Sequence, residues 1–91
     1  MIKLNNIFLS LLPQLDLHGY DRESAIVLVN DFIEENTMLG KNKVVIIHGI
    51  GSGIIKNTVH STLSSNKQVI SFNLDRTNLG CTIVNLQIKN I

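Results

Sequence analysis

The sequence predicts an α/β domain: a two-layer β-α-β-α-β-β sandwich, with a mixed four-stranded sheet and both helices on one face. Three observations carry this prediction. Short strand-like segments alternate with two stretches of helical spacing. Val44-Val45-Ile46-Ile47 is a continuous β-branched run, the pattern of a strand buried on both faces. The last two apolar segments alternate in period two and are separated by a short polar loop, as in a hairpin.

Residues 1–13 read as an apolar leader ending at Pro13, and residues 14–91 as the domain. Leu15 and Leu17 alternate with Asp16 and His18, which predicts a first strand over Gln14–His18, broken by Gly19. Asp21 is a good N-cap, and Glu23 in the first turn suits the helix dipole. Ala25, Ile26, Val29, Phe32 and Ile33 recur at helical spacing, predicting a helix over Arg22–Leu39 closed by Gly40. The β-branched run gives a second strand, Lys43–Ile47. His48-Gly49-Ile50-Gly51-Ser52-Gly53 must be a loop. Ile55, Val59 and Leu63 form the stripe of a second helix, Ile54–Ser64.

Val69–Leu74 follows as a strand with Ile70, Phe72 and Leu74 on one side. Asp75–Gly80 is the hairpin loop, and Cys81–Ile88 returns with Thr82, Val84, Leu86 and Ile88 on one side. Right-handed crossovers set the first three strands parallel and both helices on one face, with the last strand antiparallel. The other face is left more open. The leader Ile7–Leu12 is expected to cover it, since an uncovered apolar face is a liability. Phe8, Tyr20, Phe32 and Phe72 are expected to pack in the core, Cys81 to be a small core residue, and His60 to be solvated mid-helix.

Composition narrows the classes. Only 16% of the 91 residues are charged, against roughly 25% in an average soluble domain, while 44% are apolar and mean hydropathy is +0.22. That excludes a disordered chain. Cys81 is the only cysteine, which excludes a disulfide scaffold. The net charge of +1 argues against non-specific coating of DNA. The apolar stretch near the start falls far short of the roughly 20 residues that span a bilayer. It also lacks a signal-peptide cleavage site. The expectation is a cytoplasmic protein with no membrane partner, favoured as a monomer.

Two constellations fall at the same end of the sheet. Alternation sends Leu15 and Leu17 toward the helices and leaves Asp16 and His18 side by side on the open face. A carboxylate beside an imidazole can orient the ring and stabilise its protonated form, which makes a general acid/base. The bland alternative is that Asp16 and His18 merely cap the strand and turn. The second constellation is the glycine loop after His48. Gly49, Gly51 and Gly53, with Ser52, let backbone N–H groups converge ahead of a helix start, where the dipole favours an anion. No dinucleotide fingerprint or P-loop fits the spacing. Ligands of open α/β sheets bind beyond the carboxyl ends of strands. Asp16, His18 and His48 are therefore the catalytic candidates. Gly49, Gly51, Ser52, Gly53 and Lys56 are the phosphate-binding ones. No metal-ligand pattern is expected.

The pair Leu15-Asp16-Leu17-His18-Gly19 and His48-Gly49-Ile50-Gly51, one helix and one strand apart, resembles the Smr (small MutS-related) domain family. Gly80-Cys81-Thr82-Ile83-Val84 resembles that family's closing Gly-Ala-Thr-Val-Val strand. The resemblance spans about residues 14–88. It implies endonuclease activity on DNA or RNA, with Asp16 and His18 matching the family's catalytic candidates and His48, Gly49 and Gly51 its loop. The residues themselves lead us to expect no cofactor, with a divalent metal entering if DNA is the substrate; the resemblance implies partners such as the ribosome or a MutS-type machine. The alternative is a non-catalytic nucleic-acid- or ribosome-binding module. One departure stands out: the family loop often reads His-Gly-Lys-Gly-Thr-Gly, and here Ile50 occupies the lysine position. Lys56, about one helical turn on, is the nearest substitute charge.

Charge is also sorted along the chain. Residues 1–40 carry Lys3 and Arg22 against Asp16, Asp21, Glu23, Asp31, Glu34 and Glu35, a net of −4. Residues 41–91 carry Lys41, Lys43, Lys56, Lys67, Arg76 and Lys89 against Asp75, a net of +5. The low total hides a dipolar domain, from which weak, salt-sensitive binding is expected.

Overall fold

The β-branched run Val44–Ile47 is buried throughout because its strand has neighbours on both edges and apolar layers on both faces. The computed structural model describes residues 11–88. Its elements are β1 (Gln14–Asp16), α1 (Arg22–Met38), β2 (Lys43–Ile47), α2 (Ile54–Ser65), β3 (Val69–Leu74) and β4 (Cys81–Leu86). They form one four-stranded sheet in the order β1-β2-β4-β3. β1 pairs parallel with β2, while β4 runs antiparallel to both β2 and β3. The first three strands therefore share a direction, as the crossovers require.

The two faces of the sheet differ. Toward the helices, Leu17, Val44, Ile46, Val84 and Leu86 meet Ala25, Val29 and Ile33 of α1 and Val59 and Leu63 of α2. Burial of each large side chain here stabilises by about 1.5–3 kcal/mol before entropy is counted. On the far face Val45, Ile47 and Cys81 form a smaller cluster against which Leu12 and Ile83 pack. Leu12 is thus in place on the face that the leader was expected to cover. The rest of that leader, residues 1–10, lies outside the described residues, as does Phe8.

Capping sets the ends of α1. Asp21 accepts the Ser24 N–H at 2.8 Å, and the hydrogen bond holds its carboxyl below the usual range. At the other end Gly40 takes φ +75° just past the cap Leu39, and its N–H donates to Thr37 O. Inside the hairpin loop, the nearly buried Asp75 carboxylate accepts both the N–H and the hydroxyl of Thr77.

Several expectations need correction. β1 ends at Asp16 rather than His18, because the Asp16 carboxylate takes the His18 N–H. α1 ends at Met38, α2 extends to Ser65, and β4 stops at Leu86, two residues before Ile88. Ile70 does not share a face with Phe72. A bulge between Val69 and Ser71 puts Val69 and Phe72 against the core and leaves Ile70 68% exposed. Ile26 is at the margin of the α1 stripe and lines a shallow groove between the helices. Tyr20 is half exposed rather than packed.

Candidate functional site

Parallel pairing of β1 with β2 is what brings the two sequence features together. Asp16 is in register with Ile47, and Leu17 N–H extends the ladder to Ile47 O at 2.9 Å. The turn after β1 and the loop after β2 therefore leave neighbouring strands at the same carboxyl end.

The first turn closes on itself. Asp16 Oδ1 accepts the backbone N–H of His18 at 2.9 Å, and Tyr20 N–H donates to Leu17 O. This capture pulls His18 out of the sheet, which is why β1 is short. The expected alignment of Asp16 and His18 along one strand face is thus replaced. Leu15 and Leu17 do face the helices, so Asp16 faces the other way, beside Ile47. Its carboxylate bonds the main chain of His18 and not the ring. His18 is exposed, and its imidazole makes no hydrogen bond among the described residues.

The glycine loop is fastened at its base and open at its end. His48 N–H and Gly49 N–H both donate to Gly80 O, at 2.9 and 3.0 Å, which ties the loop to the start of β4. Gly49 and Gly53 take φ +81° and +85°, where side chains are strained. Gly53 is the N-cap of α2 and offers no side-chain acceptor, so no cap occupies the N–H groups of the first turn. Ser52 is exposed, Gly51 takes φ +30°, and Ile50, at the lysine position, is 70% exposed.

His48 departs from the sheet on the opposite side to Asp16, toward α2. Its Nδ1 lies 2.8 Å from Gly49 O and its Nε2 2.8 Å from Thr82 Oγ1. Thr82 Oγ1 is also 2.8 Å from His60 Nε2. The two imidazoles meet edge to face with centroids 5.9 Å apart, and the His60 ring packs on Phe72 at 5.0 Å. Burial pushes both histidines below their usual pKa; Lys56 pushes both the same way, and His48 does so for His60. Both shifts favour the neutral form of the rings. His60 is part of the cluster, not a solvated mid-helix residue. The signal that could have found it is Thr82, a polar residue at an inward position of an otherwise apolar alternation.

Cys81 is buried on the far face, and burial pushes its thiol up, helped by Asp75 and Asp16. Among the described residues no three His, Cys, Asp or Glu side chains converge on a cation position.

Fold and loops together define a two-layer α/β domain whose parallel strands deliver a D-x-H turn and a glycine loop to one end. The chain belongs to the Smr domain family, whose model matches residues 15–87. It is similar to the endonuclease MutS2 of Lactobacillus gasseri, 42% identical over 77 residues, covering 81% of this chain and 10% of that protein. A second relative is the endonuclease MutS2 of Caldanaerobacter subterraneus, 35% identical over 83 residues, covering 88% of this chain and 10% of that protein. The chain thus spans about a tenth of the length of these curated relatives. Among solved structures, the Smr domain of Thermus thermophilus MutS2 superposes with a TM-score of 0.81 at 28% identity, covering 84% of this chain and 99% of that one. YdaL, a stand-alone small MutS-related protein of Escherichia coli, shares the fold with a TM-score of 0.77 at 24% identity, covering 81% of this chain and 63% of that one.

Proposed function

We propose that the domain is an Smr-type endonuclease acting on nucleic-acid phosphodiester bonds by histidine acid–base chemistry. The observation that carries the reading is the parallel β1–β2 register, which supports a common end for the His18 turn and the uncapped start of α2. A phosphate seated on the α2 N–H groups meets the positive end of a helix dipole, with Lys56 in the first turn, near enough to His48 to act on its charge. His18, exposed and with an unoccupied imidazole, is the acid/base. Asp16 holds the turn that presents it.

On RNA, one imidazole takes the proton of the 2′-hydroxyl as that oxygen attacks phosphorus, and a protonated imidazole gives its proton to the departing 5′-oxygen. On DNA, water must attack instead, and a divalent cation bound with the substrate is the natural means of activating it.

End-labelled oligonucleotides with and without 2′-hydroxyls, in chelator and in divalent cation, test this. The parent cleaves, and Asp16→Ala with His18→Ala lowers the rate by about 10²-fold or more. A double variant that cleaves as fast as the parent overturns the reading.

Ile50 at the lysine position, and the engagement of both His48 nitrogens, favour a second reading: a nucleic-acid- or ribosome-binding module without catalysis. A parent that binds the same oligonucleotides and cleaves none of them decides for it. Any larger machine, ribosomal or MutS-type, would then supply the chemistry.

A further inference from the structure

We infer that Thr82 and His60 are positioning residues, joined to His48 by a one-way chain of hydrogen bonds that fixes which nitrogen of each ring carries a proton. The inference rests on reading this end of the sheet as the nucleic-acid site. Its direction follows from donor and acceptor inventory alone. Gly49 O can only accept, so His48 Nδ1 bears the hydrogen of their 2.8 Å contact. In the neutral ring Nε2 is then the lone-pair nitrogen and accepts the Thr82 hydroxyl hydrogen. A hydroxyl has one hydrogen. Thr82 Oγ1 must therefore accept from the other side, and His60 Nε2 is the N–H that donates to it. The order is His60 Nε2–H to Thr82 Oγ1–H to His48 Nε2, and then His48 Nδ1–H to Gly49 O.

Two consequences follow for the site. His48 is anchored at both nitrogens, so it orients the glycine loop that it begins. His60 Nδ1 is the one ring nitrogen of the pair outside the chain. A proton taken there can shift inward. His60 passes its Nε2 hydrogen to Thr82, Thr82 passes its own to His48 Nε2, and the positive charge arrives on the ring bonded to the loop. Every atom in the chain keeps its valence, and no other reactant is needed. The charge would then stand at the base of a loop in which Ile50 occupies the family's lysine position. The charged and titratable groups facing the pair are Lys56, one turn before His60, and the two rings themselves; Phe72 is the apolar neighbour.

Thr82 is fully buried between the two rings, which makes it the point to break. Long-range proton–nitrogen correlation spectra of the full chain, ¹⁵N-labelled and free of substrate, read the tautomers directly. The chain predicts His48 in the Nδ1–H form and His60 in the Nε2–H form at neutral pH. Thr82→Val removes the hydroxyl at nearly constant volume and should turn the His60 signal into a tautomer mixture, while His48, still bonded to Gly49 O, keeps its Nδ1–H form. Thr82→Ser should restore the parent pattern. His60→Gln, whose amide N–H can donate to Thr82, should also keep His48 in its Nδ1–H form. His48 in the Nε2–H form in the parent, or an unchanged pattern in a folded Thr82→Val, overturns the chain.

Cleavage of a ribo-oligonucleotide across pH is the second readout. Thr82→Val should lower the rate about five- to tenfold and shift its pH profile, and Thr82→Ser should recover both. Parent spectra as predicted with no cleavage at any pH would count against the nuclease reading and leave the chain standing.

Discussion

The two helices begin in opposite ways. α1 starts at Asp21, whose carboxylate fills the first turn by accepting Ser24 N–H. α2 starts at Gly53, with φ +85° and no side chain to offer. A cap is the ordinary way to satisfy orphan N–H groups, and its removal typically lowers stability. Leaving one helix start bare, beside a loop built from three glycines, is a local choice against stability. Such choices mark places kept for something that arrives from outside. In the proposed reading the two starts divide the labour, α1 holding the fold and α2 left open for a phosphate.

Filling the bare start should have the largest effect on binding. Gly53→Asp places a carboxylate over the first turn of α2, and affinity for a short oligonucleotide should fall about tenfold by anisotropy. The positive φ adds roughly 1–2 kcal/mol of strain, read as a lower Tm. Unchanged affinity would mean that phosphate does not land there. A smaller effect is expected in the other direction. Ile50→Lys restores the charge that the family loop often carries and should tighten binding a few-fold at low salt. The plot of log K against log salt should steepen by about one unit, the signature of one more phosphate contact.

Emptying the filled start should leave binding alone. Asp21→Ala should lower Tm at neutral pH with no change in oligonucleotide affinity. The pH dependence has a definite sign. The folded-state pKa is held below the ordinary aspartate value of 3.8, so the stabilisation is present above that value and is lost as pH falls through the depressed one. Thermal melts of parent and variant should converge in that acidic window.

Much of this was legible in the sequence, and the rest fails for local reasons. β2 and β3 keep their predicted bounds because polar residues and turn signals flank each apolar run. The Asp21 cap and Gly40 ending are single-residue signals read in place. Alternation overextends β1 because it is blind to a carboxylate that captures a main-chain N–H two residues on, as Asp16 does with His18. The face of Ile70 cannot be read from alternation because one bulged residue resets a period of two. The role of His60 is not legible because its partner Thr82 is 22 residues away and on another element. The glycine loop and the D-x-H turn were visible as motifs. That Asp16 and His48 leave opposite sides of the sheet depends on register, which no motif contains.

The central claim is that nucleic acid is met at the carboxyl end of β1 and β2. Amide chemical shifts of the ¹⁵N-labelled chain, titrated with a short single-stranded oligonucleotide, test it most directly. The account predicts salt-sensitive shifts concentrated in Leu17–Tyr20 and His48–Asn57, with the exposed edge of β3 and the end of α1 unmoved. Shifts centred on β3, or on the far face around Val45 and Cys81, with the glycine loop silent, would contradict it.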